Sequence, residues 1–407
     1  MVVPTEPVSL RVMVFNIEEG GTGVDIAQVV EAIRRADPDI VALQEAMGNA
    51  ARIGAALGWG FASARTQVIA RHPILDPAEE TPGLVYVEVR PGAAVAIASV
   101  HPPAEPYGPE LAGQGAGAAE IEALERRVRL PKVEHSLAVA AGLAAAGLPV
   151  FLLGDFNAPS HLDWTTEAVG TRPHVRLAMG WPVSRAIEAG GFRDAWREVH
   201  PDPVAEPGLT WWADRPPTGG YEPGPDTPND RIDLLYAAGP SETTDCRIVG
   251  ETGAPDVAIG LDPWPSDHRA VVASFTVVPA PIPDGARSAW AGSAHGFGAV
   301  EGVDLRTSRA SYTVGEPIEV SWSGGPGYRW DWIAIFEAPT GDLRDTHLLW
   351  RHTGTRASGS VRLDGDAAVV DQSSIGGVWP LPPGGYVVAY LLDDAPVAVA
   401  RVEISIR

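Results

Sequence analysis

The sequence holds a single cysteine, Cys246. That excludes an intramolecular disulfide and any zinc site built from several thiolates. No helix start or basic partner stands beside Cys246, so it reads as a small buried hydrophobe and not a nucleophile. Long apolar runs are missing as well, and none approaches the roughly 20 residues needed to span a bilayer. The N-terminus lacks a basic patch followed by an apolar core, which is what a secretory signal would show; the expectation is a cytoplasmic protein. Positive charge is scarce, with a formal net charge of −22. The one basic cluster, Arg126-Arg127-Val128-Arg129-Leu130-Pro131-Lys132, reads as the solvated start of a helix. A nucleic-acid binder normally presents a basic footprint, so this balance argues against DNA or RNA as the partner. No long-period repeat is present.

What is there suffices for real cores. The chain has 407 residues, 45% of them hydrophobic and 20% charged, which suits two folded domains. Leu10 to Asn16 alternates as a strand. Val24 to Arg35 has helical spacing and stops at Asp37-Pro38. Ile40 to Leu43 is a short strand. Leu84 to Val89 and Ala94 to Val100 form a hairpin pattern around Pro91-Gly92. Glu120 to Leu148 is mostly helical, and Val150 to Asp155 is an apolar strand. Arg231 to Tyr236 and Arg269 to Val278 are further strands. Between them, Pro201 to Pro228 is a Pro-, Gly- and Trp-rich loop of a length that usually serves function.

Mixed strands and helices predict an α/β sheet pair flanked by helices over residues 1–278. Residues 279–300 are rich in Pro, Ala and Gly and read as a linker. Residues 301–407 carry short strands separated by turn residues and predict a β-sandwich.

Chemistry concentrates at strand ends. Val150-Phe151-Leu152-Leu153-Gly154-Asp155-Phe156-Asn157 delivers a carboxylate and a carboxamide to the lip of a sheet. Asn16, Glu45, His101, Asp233, Asp267 and His268 also adjoin apolar strands, where a rigid scaffold could converge them. Hard oxygen donors suit Mg²⁺ or Mn²⁺, with Ca²⁺ a further candidate. Each residue also has a plainer reading. Asn16 can end a strand as an Asx turn, Asp233 can pair with Arg231 on a surface, and His101 can be an ordinary loop histidine.

The motifs Val14-Phe15-Asn16-Ile17, Leu43-Gln44-Glu45, Ala70-Arg71-His72-Pro73-Ile74, Ser99-Val100-His101, Gly154-Asp155-Phe156-Asn157, Arg231-Ile232-Asp233 and Ser266-Asp267-His268 follow one another in a telling order. Together they resemble the endonuclease/exonuclease/phosphatase superfamily, which includes DNase-like nucleases, sphingomyelinases and inositol polyphosphate phosphatases. The resemblance covers nearly all of residues 10–278. It implies a four-layer α/β/β/α sandwich of DNase I-like type and a metal-dependent phosphoric ester hydrolase. It further implies that Glu45 binds the metal with help from Asn16 and Asp267, and that Asp155 orients the attacking water. Asn157 and His101 would contact the phosphoryl group. Asp233 and His268 would form the general-base pair.

Tyr107, Trp211, Trp212 and Trp264 lie near these motifs and are candidate substrate contacts. The absence of basic residues in the site loops favours a small-molecule or lipid-headgroup phosphodiester. A phosphomonoesterase on sugar, inositol or nucleotide phosphates and a nuclease are the rival enzymes, and a non-catalytic binding protein is the rival class. Residues 301–407, with Tyr312-Thr313-Val314-Gly315-Glu316 and Trp330-Asp331-Trp332-Ile333, resemble the SKICH-type Ig-like sandwiches that accompany some phosphatases. Such a module implies localisation, including peripheral contact with a membrane.

Overall fold

The computed structural model describes residues 6–407 apart from 79–80, 82, 219–221, 225, 290–299, 301, 329–330, 340–342, 344–346, 354–355, 366–378, 394 and 396. Trp330 and residues 290–299 of the expected linker thus lie outside the described residues. The chain divides into two compact units, the first ending at Ala294 and the second running to Arg407.

The first unit is built on two sheets. One has seven strands in the order Val257–Gly260, Ser241–Gly250, Ala270–Val277, Val8–Asn16, Ile40–Gln44, Val68–Ala70, Phe61–Ser63. The other has eight strands, and its path runs Arg287–Ser288, Ile74–Asp76, Leu84–Arg90, Ala93–Val100, Val150–Asp155, Asp233–Ala238, Arg193–Asp194. Its eighth strand, Ala280–Pro281, pairs with Ala93–Val100.

Alternation within each strand decides what is buried against what. Leu10, Val12 and Val14 point between the sheets with Val85, Val95, Ile97, Phe151, Leu153 and Phe275. Met13, Phe15, Val41 and Leu43 point outward, against Val29, Val30 and Ile33 of helix Ile26–Ala36 and Ile53 of helix Ala50–Leu57. On the far side, Leu84, Tyr86, Val150 and Leu152 pack on Val133 and Leu137 of helix Leu130–Ala145 and on Ile187 of helix Pro182–Ala189. The result is helix, sheet, sheet, helix: a mixed α/β core of DNase I-like form. Each fully buried Val, Leu, Ile or Phe contributes about 1.5–3 kcal/mol of hydrophobic stabilisation, so both faces of each sheet are strongly specified.

The structure departs from the sequence reading in places. The expected linker begins too early, because Ala280–Pro281 and Arg287–Ser288 pair into the eight-stranded sheet. The basic cluster straddles two helices, Ala118–Val128 and Leu130–Ala145. Arg126 and Arg127 are exposed as expected. Arg129 is not: it is fully buried and donates from Nη1 to Glu125 Oε1 at 2.7 Å. Its charge is therefore met inside the protein. Cys246 is buried, and burial pushes its thiol up, which fits the inert reading. Among the described residues no helix is long and apolar enough to cross a membrane.

The described strands of the second unit form two sheets. Asp304–Thr307, Ile318–Ser323 and Gly359–Leu363 form a three-stranded sheet, and Ser311–Tyr312, Ala398–Ile406, Gly384–Leu391, Trp332–Glu337 and His347–His352 form a five-stranded one. Ile318, Val320 and Trp322 of the first are buried, as are Ile333, Ile335, Val388 and Tyr390 of the second. The Trp322 and Tyr390 rings meet at 6.3 Å between centroids.

Candidate active site

Register brings the candidate residues to one end of both sheets. Val8–Asn16 and Ile40–Gln44 are parallel with Asn16 opposite Gln44, so Glu45 emerges one residue past Asn16. Ala270–Val277 runs antiparallel to Val8–Asn16, which sets Asp267 and His268 at the same lip. In the other sheet, Val100 stands opposite Gly154 in a parallel pair and Asp155 opposite Asp233 in an antiparallel one. His101, Asp155 and Asp233 thus share an edge. A Cβ on Gly154 would sit 1.8 Å from the Val100 carbonyl oxygen, so only glycine allows this approach.

The side chains then close a network across the two sheets. Asn16 Nδ2 donates to Glu45 Oε1 at 3.0 Å and to Asp155 Oδ2 at 3.1 Å. Its Oδ1 accepts from the Glu18 amide at 3.1 Å, so the Asx turn read from the sequence and site membership hold together. A carboxamide oxygen has two lone pairs, so Asn16 bridges the two carboxylates through Nδ2 and remains a candidate metal ligand through Oδ1. Asp155 Oδ1 accepts from the Asn157 amide at 2.8 Å, and Asn157 Nδ2 donates to Pro102 O at 3.1 Å. His101 Nε2 lies 3.3 Å from Asp155 Oδ2. His268 Nδ1 and Asp233 Oδ2 are 2.9 Å apart, while His268 Nε2 faces Asp155 Oδ2 at 3.7 Å and Asp267 Oδ1 at 3.9 Å. Arg231 does not pair with Asp233. Fully buried, it is held by Asp163 and Asp194 just behind it.

Electrostatics follow from this crowding. Burial works against the Asp155 carboxylate, but His268 and His101 outweigh it and hold its pKa at about 2. Asp233 is raised by burial, which its bond to His268 only partly offsets. Burial would pull the His268 imidazolium down, yet Asp233, Asp155 and Asp267 lift it well above the usual histidine range. Glu45 is raised by burial and then by Asp267.

Sequence reasoning missed Glu18. It is buried and pushed up to about 7 by burial and by Asp267, although Arg215 opposes this. Its Oε2 accepts from the Asp267 amide at 3.1 Å. The available signal was its place two residues beyond the strand-ending Asn16. Ser266 opens the Ser266-Asp267-His268 motif, which does not reveal its role. Its hydroxyl donates to Asn16 O at 2.7 Å and accepts from the His268 amide at 3.0 Å, which ties the two outer motifs together.

The aromatic candidates divide. Trp264 is 1% exposed, meets the Phe15 ring at a 30° tilt and donates its indole N–H to His268 O at 2.8 Å. It supports the site from within and is no substrate contact. Tyr107 is buried, with its ring edge-on to Trp211 at 5.5 Å. Trp211 and Trp212 are half-buried. Trp211 Nε1 is committed to Asp267 Oδ2 at 3.1 Å, and Trp212 Nε1 reaches Thr227 O at 3.5 Å.

A family model described as Endonuclease/Exonuclease/phosphatase family matches residues 13–268, the span that holds this network. The chain belongs to that family. An uncharacterized protein of Caenorhabditis elegans is 30% identical over 292 residues, 66% of this chain and 92% of that one. Among solved structures, an endonuclease/exonuclease/phosphatase from Beutenbergia cavernae covers 98% of this chain and 99% of its own at 18% identity and a TM-score of 0.40. TDP2 of D. rerio, complexed with a single-strand DNA product, covers 66% of this chain and 98% of its own at 15% identity and a TM-score of 0.40.

The donor set fits the divalent cation that the family uses. Glu18, Glu45, Asp155 and Asp267 bring hard carboxylate oxygens to one lip, linked through Asn16 and the Asp267 amide. Asp155, Asp233 and His268 also place one ligand atom each within 4.8 Å of one another, a buried group that could hold an ion. In that group His268 engages only Oδ2 of Asp233, and Asp233 Oδ1 is buried with no hydrogen-bond partner among the described residues.

Proposed function

We propose that this protein hydrolyses a small organic phosphodiester by in-line attack of water, with Mg²⁺ or Mn²⁺ held by Glu45 and Asp267 beside Asp155. The observation that carries the reading is the His268–Asp233 pair, whose free Nε2 faces Asp155 and Asp267 across the metal-fitting carboxylates. Asp233 fixes the imidazole tautomer, so His268 Nε2 is the atom that takes the proton from water. Asp155 orients that water. Asn157 Nδ2 spends one hydrogen on Pro102 O and has a second to offer a phosphoryl oxygen without adding charge that repels it. His101, whose Nε2 pairs with Asp155 Oδ2, is the other group proposed to contact the phosphoryl oxygens. The cation, when bound, neutralises charge growing on the phosphoryl oxygens and offsets the carboxylate field around His268.

The −22 net charge supports a small diester over a polynucleotide. The second unit is read as a localising module, with peripheral membrane contact as its proposed use. Turnover of bis(p-nitrophenyl) phosphate with Mg²⁺ or Mn²⁺, abolished by EDTA and restored by the metal, is the expected result. Full turnover after exhaustive chelation would overturn the metal reading. Faster release from p-nitrophenyl phosphate would move the assignment to a monoesterase. A higher kcat/KM on duplex DNA at physiological salt would move it to a nuclease.

A further inference from the structure

The loop Pro201 to Pro228 enters the site in a way that its composition does not reveal. Four of its residues, 210 to 213, form a short strap between the strand end that carries Asp233 and the one that carries Asp267 and His268. Thr210 is fully buried, and its Oγ1 accepts from the amides of Ile232 and Asp233, each at 3.0 Å. Thr210 O accepts from the Arg269 amide at 2.7 Å, the residue next to His268. Trp211 exchanges backbone hydrogen bonds with Asp230 at 3.0 and 2.8 Å and bridges His268 on its other side. Its indole N–H holds Asp267 Oδ2, and the Ala213 amide holds Asp267 O at 2.6 Å. The strap is anchored in turn by Asp230. That fully buried carboxylate accepts from Trp164 Nε1 at 3.0 Å and lies 2.8 Å from His174 Nε2 and 3.3 Å from Arg172 Nη2.

We propose that Thr210 and Trp211 are positioning residues for the reaction: Thr210 sets the Asp233 end of the base pair, and Trp211 selects which oxygen of Asp267 faces the cation. This rests on the metal-dependent reading above. The geometry distinguishes two jobs. An indole N–H fixed on Oδ2 adds no charge and leaves Oδ1 on the His268 side, 3.9 Å from Nε2. A hydroxyl that receives two consecutive amides pins the backbone from which Asp233 reaches His268. Partners of metal ligands in this position typically change metal affinity by about 10–100-fold when removed.

The test uses the full chain, isothermal titration with Mn²⁺, and bis(p-nitrophenyl) phosphate turnover. Trp211→Phe keeps a ring against Tyr107 but loses the N–H together with the rest of the second indole ring. It should weaken Mn²⁺ binding roughly tenfold with an unchanged melting temperature, and saturating Mn²⁺ should restore most of its kcat. Thr210→Val keeps the shape but strands two buried amides. Its kcat should fall and should not return at saturating Mn²⁺, whereas Thr210→Ser should restore it. If Thr210→Val fails to fold, the Trp211→Phe titration and the Thr210→Ser kcat still decide the matter. Trp211→Phe binding Mn²⁺ within twofold of the wild type would overturn the role given to Trp211. Full activity of a folded Thr210→Val, or collapse of Thr210→Ser, would overturn that of Thr210. A wild-type protein that takes up no Mn²⁺ would sink the metal-dependent reading itself, a failure distinct from the others.

Discussion

His268 receives opposing influences that its neighbours settle. Burial disfavours its charge and three carboxylates favour it, and the carboxylates win. Replacing it with alanine should lower kcat by roughly 10²–10⁴-fold, the usual size of a general acid–base contribution, in a protein that still folds. Near-wild-type kcat in that variant would remove His268 from the mechanism. Glu45→Gln should raise the Mn²⁺ concentration needed for half-activation more than it lowers stability, which a titration beside a thermal melt would show. Asp230 gives a pH signature of a different kind. Burial raises its carboxyl, but Arg172 and His174 outweigh that and depress it below the ordinary value of 3.8. A depressed carboxyl adds stability that is complete above its unfolded pKa and lost as pH falls through the folded one. Asp230→Asn should therefore cost about 3 kcal/mol at pH 7, near the lower end for breaking a buried ion pair. Urea denaturation should show that gap holding down to about pH 4 and narrowing below it. A gap that widens with acid would contradict this sign.

At the level of strands and turns, the same residues were legible to different degrees. Asn16, Glu45, Asp155, Asp233 and His268 could be found because each ends or begins an apolar strand, and strand ends in parallel or antiparallel register collect at one lip. Gly154 shows why that placement works. Alanine there would drive a Cβ into the Val100 carbonyl, so Gly154→Ala should part the strands that carry His101 and Asp155. We expect a lower melting temperature and a lower kcat together; an unchanged kcat would mean that the strands adjust freely. Short elements escaped the sequence reading. Phe61–Ser63, Val68–Ala70 and Ile74–Asp76 hold three residues each, too few to display a period. Ser241–Gly250 is half exposed along its first part, which runs Ser-Glu-Thr-Thr-Asp, so it reads as a loop until its partner Ala270–Val277 is known. Thr210 and Asp230 were invisible for a related reason: each acts on a backbone distant in sequence, and no local pattern encodes that. Trp264 was misread because a tryptophan beside a motif looks the same whether it faces a ligand or, as here, the core.

For the whole chain, the two strands beyond Val277 change where a cut can be made. A chain ended at residue 278 loses Ala280–Pro281 and Arg287–Ser288 from the eight-stranded sheet; one ended at 289 keeps both. We expect the longer fragment to melt higher and to retain kcat on bis(p-nitrophenyl) phosphate, because every proposed catalytic group lies before residue 278. A folded 1–289 fragment without activity would show that the second unit helps to build the site. The larger consequence lies in how the site is shared. Asn16, Glu45, Asp267 and His268 belong to one sheet, while His101, Asp155, Asn157 and Asp233 belong to the other, and the Asn16–Asp155 and His268–Asp233 bonds cross between them. Further ties include the Gln44 Nε2–Ser99 Oγ hydrogen bond at 3.3 Å, the strap at Thr210, and apolar packing, with Phe151 and Phe275 meeting at 4.6 Å. On the proposed mechanism, catalysis would act as a vernier on the alignment of two plates: a slip of about 1 Å would cost roughly a hundredfold in rate. Phe151→Leu, which touches no catalytic group, should register as a slower enzyme before it registers as an unstable one.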